Sequence, residues 1–230
     1  MSISRPNTLA APLSVIAVDG PAASGKGTLA RKLADHLDYA YLDTGALYRA
    51  VGLQVFRTGG NPEKEQDAVK AAEKLAEIDL NDPELKSEST GGLASKVAAI
   101  QAVRARLLDF QRAFAKNPPG KKAGAILDGR DIGTIVCPDA DLKLFVTADV
   151  ETRAKRRVLE QYGSGATDKE FQTILDDLIQ RDDRDVNRAS SPLKMAKNAH
   201  LLDTTNSDIE AVFEQALVLF SNRMTQNDKA

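Results

Sequence analysis

Cysteine is nearly absent from the chain. With Cys137 alone among 230 residues, no disulfide can close within it, and a reducing compartment suits it. Long apolar runs are missing too. Nothing approaches the roughly 20 residues of a membrane span, and Met1 to Ser14 is polar and proline-broken, without the apolar core of a secretory signal. The chain therefore reads as cytoplasmic, with no membrane partner. Charge of one sign is lacking: 31 basic against 33 acidic side chains leave a net −2. That argues against a general nucleic-acid surface, though not against a local basic cleft. Histidine is scarce, with His36 in a predicted first helix and His200 at the start of a predicted last strand. Neither is placed to act as a general base. There is no internal repeat and no low-complexity tract.

What is present looks globular. Apolar content of 42% and charged content of 28% are ordinary, and the length suits one α/β domain with insertions. The chain is organised around Gly20-Pro21-Ala22-Ala23-Ser24-Gly25-Lys26-Gly27-Thr28. A buried strand at Val15–Val18 precedes this run, and a helix with Leu29, Leu33 and Leu37 on one face follows it. From Gly20 to Lys26 the spacing is that of a phosphate-binding loop. Glycine-rich backbone can turn several N–H groups into one concavity, the helix start adds its dipole, and Lys26 brings a mobile charge.

Residues 1–13 read as a loose tail. Short strands are predicted at Ala40–Leu42, Ala125–Leu127, Leu142–Val146 and Leu201–Leu202, alternating with helices. One helix begins in Asp43-Thr44-Gly45-Ala46-Leu47-Tyr48-Arg49, and another spans about 63–77. A stripe at Leu93, Val97, Ile100, Val103, Leu107, Phe110 and Phe114 predicts a helix over 93–116 with that stripe in the core. Breakers at Asn81-Asp82-Pro83 and Gly91-Gly92 leave 79–92 without a clear element. A helix over about 150–161 ends at Gly163-Ser164-Gly165. Capping patterns at Thr167-x-x-Glu170 and Ser207-x-x-Glu210 open the last two helices. Alternating strands and helices predict an open, mostly parallel sheet with helices on both faces, a three-layer α/β sandwich built on the phosphate loop. The strand-poor region 60–92 is placed beyond the carboxyl ends of the strands, where such sheets bind ligands.

A phosphate loop alone leaves switch proteins, transport ATPases and small-molecule kinases open. Gly27 stands where Ser or Thr usually reaches a metal, and Thr28 comes one residue late. No Asn-Lys-x-Asp element marks a guanine site. The arginines say more. Arg49 follows an Asp-Thr-Gly turn, and Arg130 ends a buried strand beside two aspartates. Arg181, Asp185 and Arg188 share one helix face. Phosphoryl transfer between two nucleotides needs such a set, one cluster for each phosphate group and cations to follow the moving charge. It needs no general base, because an acceptor phosphate with a second pKa near about 6 is already a dianion at pH 7.

Four segments together resemble the bacterial cytidylate kinase family over about 14–222: the loop Gly20–Thr28, Leu42–Arg49, Leu127-Asp128-Gly129-Arg130-Asp131-Ile132-Gly133-Thr134, and Arg181–Arg188. The resemblance implies transfer from ATP, with Mg2+, to CMP or dCMP by a monomer with no nucleic-acid partner. It implies a kinase domain over 14–222 with an acceptor-binding insertion at 56–96 and a lid at 156–167. The whole loop Gly20, Pro21, Ala22, Ala23, Ser24, Gly25, Lys26, Gly27 and Thr28 is then expected to bind ATP. Lys26, Arg130, Arg153 and Arg157 are expected to act on the transferred group, and Asp128 to orient the magnesium through water. The resemblance places Tyr48, Arg49, Arg130 and Arg188 around the acceptor's phosphate, with Arg181 and Asp185 on its sugar. Ser95, Arg104 and Asp131 fall at the cytosine edge, and Thr44 faces that base.

The chain departs from the family pattern at 79–92, where Lys86-Ser87-Glu88-Ser89-Thr90 replaces a Ser-x-x-Ile-Arg element, and at Gln101, often proline. Ser95 and Arg104 are nine residues apart, about two and a half turns, and would face opposite ways in one helix. Either the helix breaks near Ile100 or Ser95 does not read the base. Asp131 has two possible roles: accepting from the cytosine amine, which uracil lacks, or bracing Arg130. A kinase of broader CMP and UMP specificity and a nucleotide-dependent switch protein are the competing readings.

Overall fold

A computed structural model describes residues 14–75, 78–80 and 82–227; the expected tail, 1–13, lies outside them. Its strands are β1 (Ser14–Asp19), β2 (Ala40–Asp43), β3 (Gly124–Gly129), β4 (Leu142–Thr147) and β5 (His200–Asp203). The helices are α1 (Lys26–Leu37), α2 (Thr44–Arg57), α3 (Glu65–Glu73), α4 (Glu88–Val97), α5 (Gln101–Lys116), α6 (Val150–Tyr162), α7 (Asp168–Asn187) and α8 (Ile209–Asn227). The strands form one sheet in the order β2-β3-β1-β4-β5, and every pairing among them is parallel.

Central strands of such a sheet are covered on both faces, so they read as continuous apolar runs. Ile16, Ala17 and Val18 of β1 and Ala125, Ile126 and Leu127 of β3 have no exposed surface. On one face α1 and α8 set Leu29, Leu33, Phe213 and Ala216 against Ile16, Val18 and Leu144. On the other, Ala115 of α5 and a π-helical turn at Ile132–Val136 cover Ala17, Leu42 and Leu127. The three-layer sandwich expected from the strand and helix order is present.

Beyond the carboxyl end of β2 the helices build a second core. Leu47 and Val51 of α2, Ala68 and Ala72 of α3, Val97 of α4, and Val103 and Leu107 of α5 bury one another. The helical stretch expected over 93–116 is broken near Ile100, one of the two alternatives left by the spacing of Ser95 and Arg104. Ile100 is extended, with φ −83° and ψ 116°, and separates α4 from α5. The break lets both apolar stripes reach one core, but Phe110, a member of the predicted core stripe, is 43% exposed. Of the helix expected over 63–77, of which 76 and 77 lie outside the described residues, the structure shows Glu65–Glu73.

The unreadable stretch is ordered by caps. Asp82 accepts from the Glu84 N–H at 2.9 Å to start a 3-10 turn at Pro83–Lys86, and the Ser87 hydroxyl caps α4. Arg57, at the end of α2, pairs with Asp82 at 2.7 Å and Glu84 at 2.5 Å, while Leu85 sinks against Ala50 and Leu53. α6 and α7 form a hairpin. Its second arm opens on the capping box of Thr167 and Glu170. Ile174 and Leu178 pack against Ala154, Val158 and, from the phosphate loop, Ala22. α8 is capped by Asp208, which accepts from the Ala211 N–H at 2.8 Å, rather than by the expected Ser207. Glu210 instead pairs with Lys32 of α1.

Candidate active site

The chain leaves β1 through Gly20, where a Cβ would come 2.0 Å from the Val146 carbonyl oxygen. The turn closes through Ala23 and Gly25, both left-handed with φ of 57° and 86°. α1 then starts at Lys26, its first N–H groups lacking helical partners. This helix start opens on a cleft of about 1100 Å³ that runs across the carboxyl ends of β1, β2 and β3. Lys26 Nζ donates to the Pro21 carbonyl at 3.2 Å. Burial, then the neighbouring Arg130, pulls its ammonium down to about 8.

The glycine after Lys26 has a geometric reason. A Cβ at Gly27 would lie 3.2 Å from Asp128 Oδ2 and 3.7 Å from Tyr41 Oη. The Asp128 carboxylate thus crowds the place where a Ser or Thr side chain would begin. Tyr41 Oη donates to Asp128 Oδ2 at 2.6 Å, and Thr44 Oγ1 donates to the Asp128 carbonyl at 2.7 Å. Asp43 and Asp128 are register partners on β2 and β3. Burial, then the Asp43 charge, pushes the Asp128 carboxyl up. Burial works against ionisation of Asp43 as well, but Arg49, at 2.6 Å, holds its carboxyl low. No three metal-ligating side chains converge among the described residues. Two adjacent carboxylates do fit Mg2+, which keeps several waters and takes one or two carboxylates beside substrate phosphates.

At the other end of the cleft the cations outnumber their partners. Arg104 pairs with Asp131, both buried, and stacks over the Tyr48 ring at 5.3 Å. The helix break frees the Ala98 carbonyl for Arg104 Nη1 at 3.3 Å. Arg188 sits 3.8 Å from Asp131 and 3.7 Å from Asp185, and Arg130 Nε bonds Asp185 at 2.8 Å. Burial notwithstanding, Arg130 holds the Asp185 carboxyl low. Arg181 makes no ion pair among the described residues, and burial, then Arg130, pulls it to about 10. Arg49 Nε, Arg104 Nε, Arg188 Nη2 and Ser95 Oγ are buried without a hydrogen-bond partner. Unpaired buried donors are rare and costly, and a cluster of them marks a place for an acceptor-rich ligand.

Of the α6 arginines, Arg157 lines the cleft and pairs with Glu160 at 3.1 Å. Arg153 does not line it. Its guanidinium bonds the Ala148 carbonyl at 3.0 Å, the Ala22 carbonyl at 3.1 Å and Asp182 at 2.5 Å. It ties the hairpin to the phosphate loop. Arg156 bonds the Thr204 hydroxyl at 2.8 Å, which in turn donates to the Ser24 carbonyl at 3.0 Å.

The cytidylate kinase family model matches residues 16–222. The chain belongs to the cytidylate kinase family. It is 51% identical to the cytidylate kinase of Paramagnetospirillum magneticum over 212 residues, 91% of this chain and 99% of that protein. It is 50% identical to that of Rhodospirillum rubrum over 209 residues, 91% and 98% of the two chains. A solved structure of an uncharacterized protein from Eubacterium ventriosum matches with a TM-score of 0.50 at 16% identity, covering 89% of this chain and 96% of that one. That likeness is one of fold alone.

In this member of the cytidylate kinase family, one cleft gathers most residues singled out in the sequence: Lys26, Thr44, Tyr48, Arg49, Ser95, Arg104, Asp128, Arg130, Asp131, Arg157, Arg181, Asp185 and Arg188. Gly20, Pro21 and Arg153 lie outside its lining, while Ala22–Thr28 line it. The alternative role of Asp131, a brace for Arg130, is absent. Asp131 holds Arg104, and Arg130 is held by Asp185. The sequence reading passed over Tyr41 and Asp43. Its available signal was weak: Tyr41 is a polar-tipped residue beside apolar neighbours in a predicted strand. The histidines stay away from the cleft, with His36 edge-on to Phe213 at 5.5 Å and His200 exposed. No helix among the described residues is long and apolar enough to cross a membrane.

Proposed function

We propose that the protein transfers the γ-phosphoryl group of ATP in line to CMP or dCMP, giving CDP or dCDP and ADP, in the cytoplasm. The observation that carries this reading is the pairing of two ends in one cleft. A phosphate loop with Lys26 stands at one end, and a buried Arg104–Asp131 pair with unpaired donors at the other. The loop Gly20–Thr28 would hold the donor's phosphates. Lys26, Arg130 and Arg157 would follow charge onto the transferred oxygens, with Arg153 holding the hairpin against the loop. Tyr48, Arg49, Arg130 and Arg188 would take the acceptor phosphate, and Arg181 and Asp185 its sugar. Ser95, Thr44, Arg104 and Asp131 would face the base. No side chain need remove a proton, because the acceptor is already a dianion. Asp128 and Asp43 would hold Mg2+ through its waters, and the ion would supply charge neutralisation between the phosphates.

In this reading residues 14–222 are the kinase domain, with 56–96 an acceptor-binding insertion and 156–167 a lid over the donor. A broader specificity that includes UMP is favoured by one feature: Arg104 Nε is a free buried donor that could meet the carbonyl at C4 of uracil. A coupled assay offering CMP, dCMP, UMP and AMP in turn decides between them. CMP and dCMP should be used at least roughly tenfold better in kcat/KM than UMP or AMP, the worth of one hydrogen-bonded edge. Equal use of UMP would establish the broader reading, and no use of any of the four would overturn both.

A further inference from the structure

Asp19 lies outside the cleft lining, yet both ends of the Arg130 loop close on it. Its backbone is the register partner of Gly129, the last residue of β3. Its carboxylate, on a residue 4% exposed, accepts the N–H groups of Ile132 and Gly133 at 2.7 Å each. Arg130 and Asp131 are the two residues between these anchor points. One side chain and its own backbone therefore clamp a two-residue span at both ends. Asp19 also precedes Gly20, so the same residue opens the phosphate loop. There is little slack around the carboxylate. A Cβ at Gly133 would come 3.3 Å from Asp19 Oδ2 and 3.1 Å from Lys143 Cδ. A buried carboxylate costs free energy that an apolar residue at a strand end would not.

We infer that Asp19 is a positioning residue for the acceptor side of the cleft: by clamping the Arg130–Asp131 span, it sets that span's distance from the phosphate loop. The inference rests on the assignment of Arg130 and Asp131 to the acceptor nucleotide. A residue that merely supported the fold would, when changed, weaken donor and acceptor together or neither. A clamp on this span should weaken the acceptor selectively, and it should loosen two identifiable amides.

The test is Asp19→Asn, which keeps the shape but turns an amide NH2 toward one of the two backbone N–H groups. KM for CMP should rise roughly tenfold or more, the equivalent of one lost charge-assisted hydrogen bond. Calorimetric binding of ATP alone should change by less than about threefold, within the spread of a distant substitution. The preference for CMP over UMP should narrow, because Asp131 moves with the span. Amide hydrogen exchange at Ile132 and Gly133 should accelerate while β1 and α1 keep the parent's protection. If Asp19→Asn does not fold, Gly133→Ala serves instead, since it crowds the turn off the same carboxylate without altering charge. Equal losses for ATP and CMP would overturn the inference, as would unchanged exchange at the two amides. A parent that fails to phosphorylate CMP would overturn the assigned function, and the exchange measurement would still decide whether Asp19 clamps the loop.

Discussion

Burial makes the charge of Lys26 easier to lose. With its pKa drawn down to about 8, about half of the free protein is neutral there at pH 8, and a bound triphosphate would restore the proton. Binding of ATP at pH 8 should therefore take up protons, read from calorimetry in two buffers of different ionisation heat. Lys26→Met should abolish that uptake and lower turnover far more than tenfold, while thermal unfolding stays close to the parent's. Uptake that persists in the variant would assign the proton to another group. Asp131 invites a sharper comparison, since its partner is Arg104. Asp131→Asn should cost CMP more than UMP, by a ratio of roughly tenfold if one charge-assisted bond to the cytosine amine is lost. Equal losses would mean that the carboxylate serves to hold Arg104. Asp19 adds a pH dependence. Burial pushes its carboxyl up to about 6 from 3.8, against the N–H bonds of Gly133 and Ile132, with Asp131 adding to the rise and Arg130 opposing it. Cys137 is a further titratable group interacting with it. Between 6 and 3.8 the folded chain binds the extra proton, so this contribution to stability grows as pH falls through that window and is least above it. Asparagine does not titrate. The Tm of Asp19→Asn minus that of the parent should accordingly fall between pH 7 and pH 4.5, and a constant gap would place the Asp19 pKa at its ordinary value.

The break between α4 and α5 makes a prediction about elements. Ile100 is extended and Gln101 is the first residue of α5, so a proline at 101 meets a compatible neighbour and removes no helical hydrogen bond. Gln101→Pro should stabilise by about 0.4–1 kcal/mol through the unfolded chain. In an unbroken helix the same change would cost about 3 kcal/mol, so chemical denaturation distinguishes the two by sign. This break also shows where a sequence stops being informative. Val97, Ile100 and Val103 keep helical spacing across it, and neither glycine nor proline marks it. The strands, the phosphate loop and the Thr167 capping box were legible because their signals are local. The segment 82–90 was not, because Arg57 and Leu85 hold it through contacts made elsewhere in the chain. Of the site, Arg130 was readable from its place at a strand end. Arg153 and Arg157, four residues apart on one helix, look alike in sequence, and only packing turns one to the cleft and the other to the carbonyls of Ala22 and Ala148.

Across the whole molecule, the α6–α7 hairpin is held by Ala22 and Arg153 at the phosphate loop, by Arg156 at Thr204 and by Asp185 at Arg130, and its tip at Gly163–Gly165 is exposed. Closure of this tip over bound nucleotides would exclude competing water. Proteolysis within 158–168 should slow when ATP analogue and CMP are both present. Equal rates with and without them would count against a closing lid. The sheet order has a different consequence, felt during synthesis. Among the described strands β1 is the first made, and it lies third of five, flanked by β3 and β4. Ser14 pairs with Gly124, and the other edge of β1 waits for Leu142. At about 5–20 residues per second, the nascent chain carries this apolar strand without either neighbour for on the order of 5–20 s. During those seconds the strand is open to holdase chaperones or to a β1 on an adjacent nascent chain. Crowded polysomes are then one setting in which this strand is exposed to aggregation.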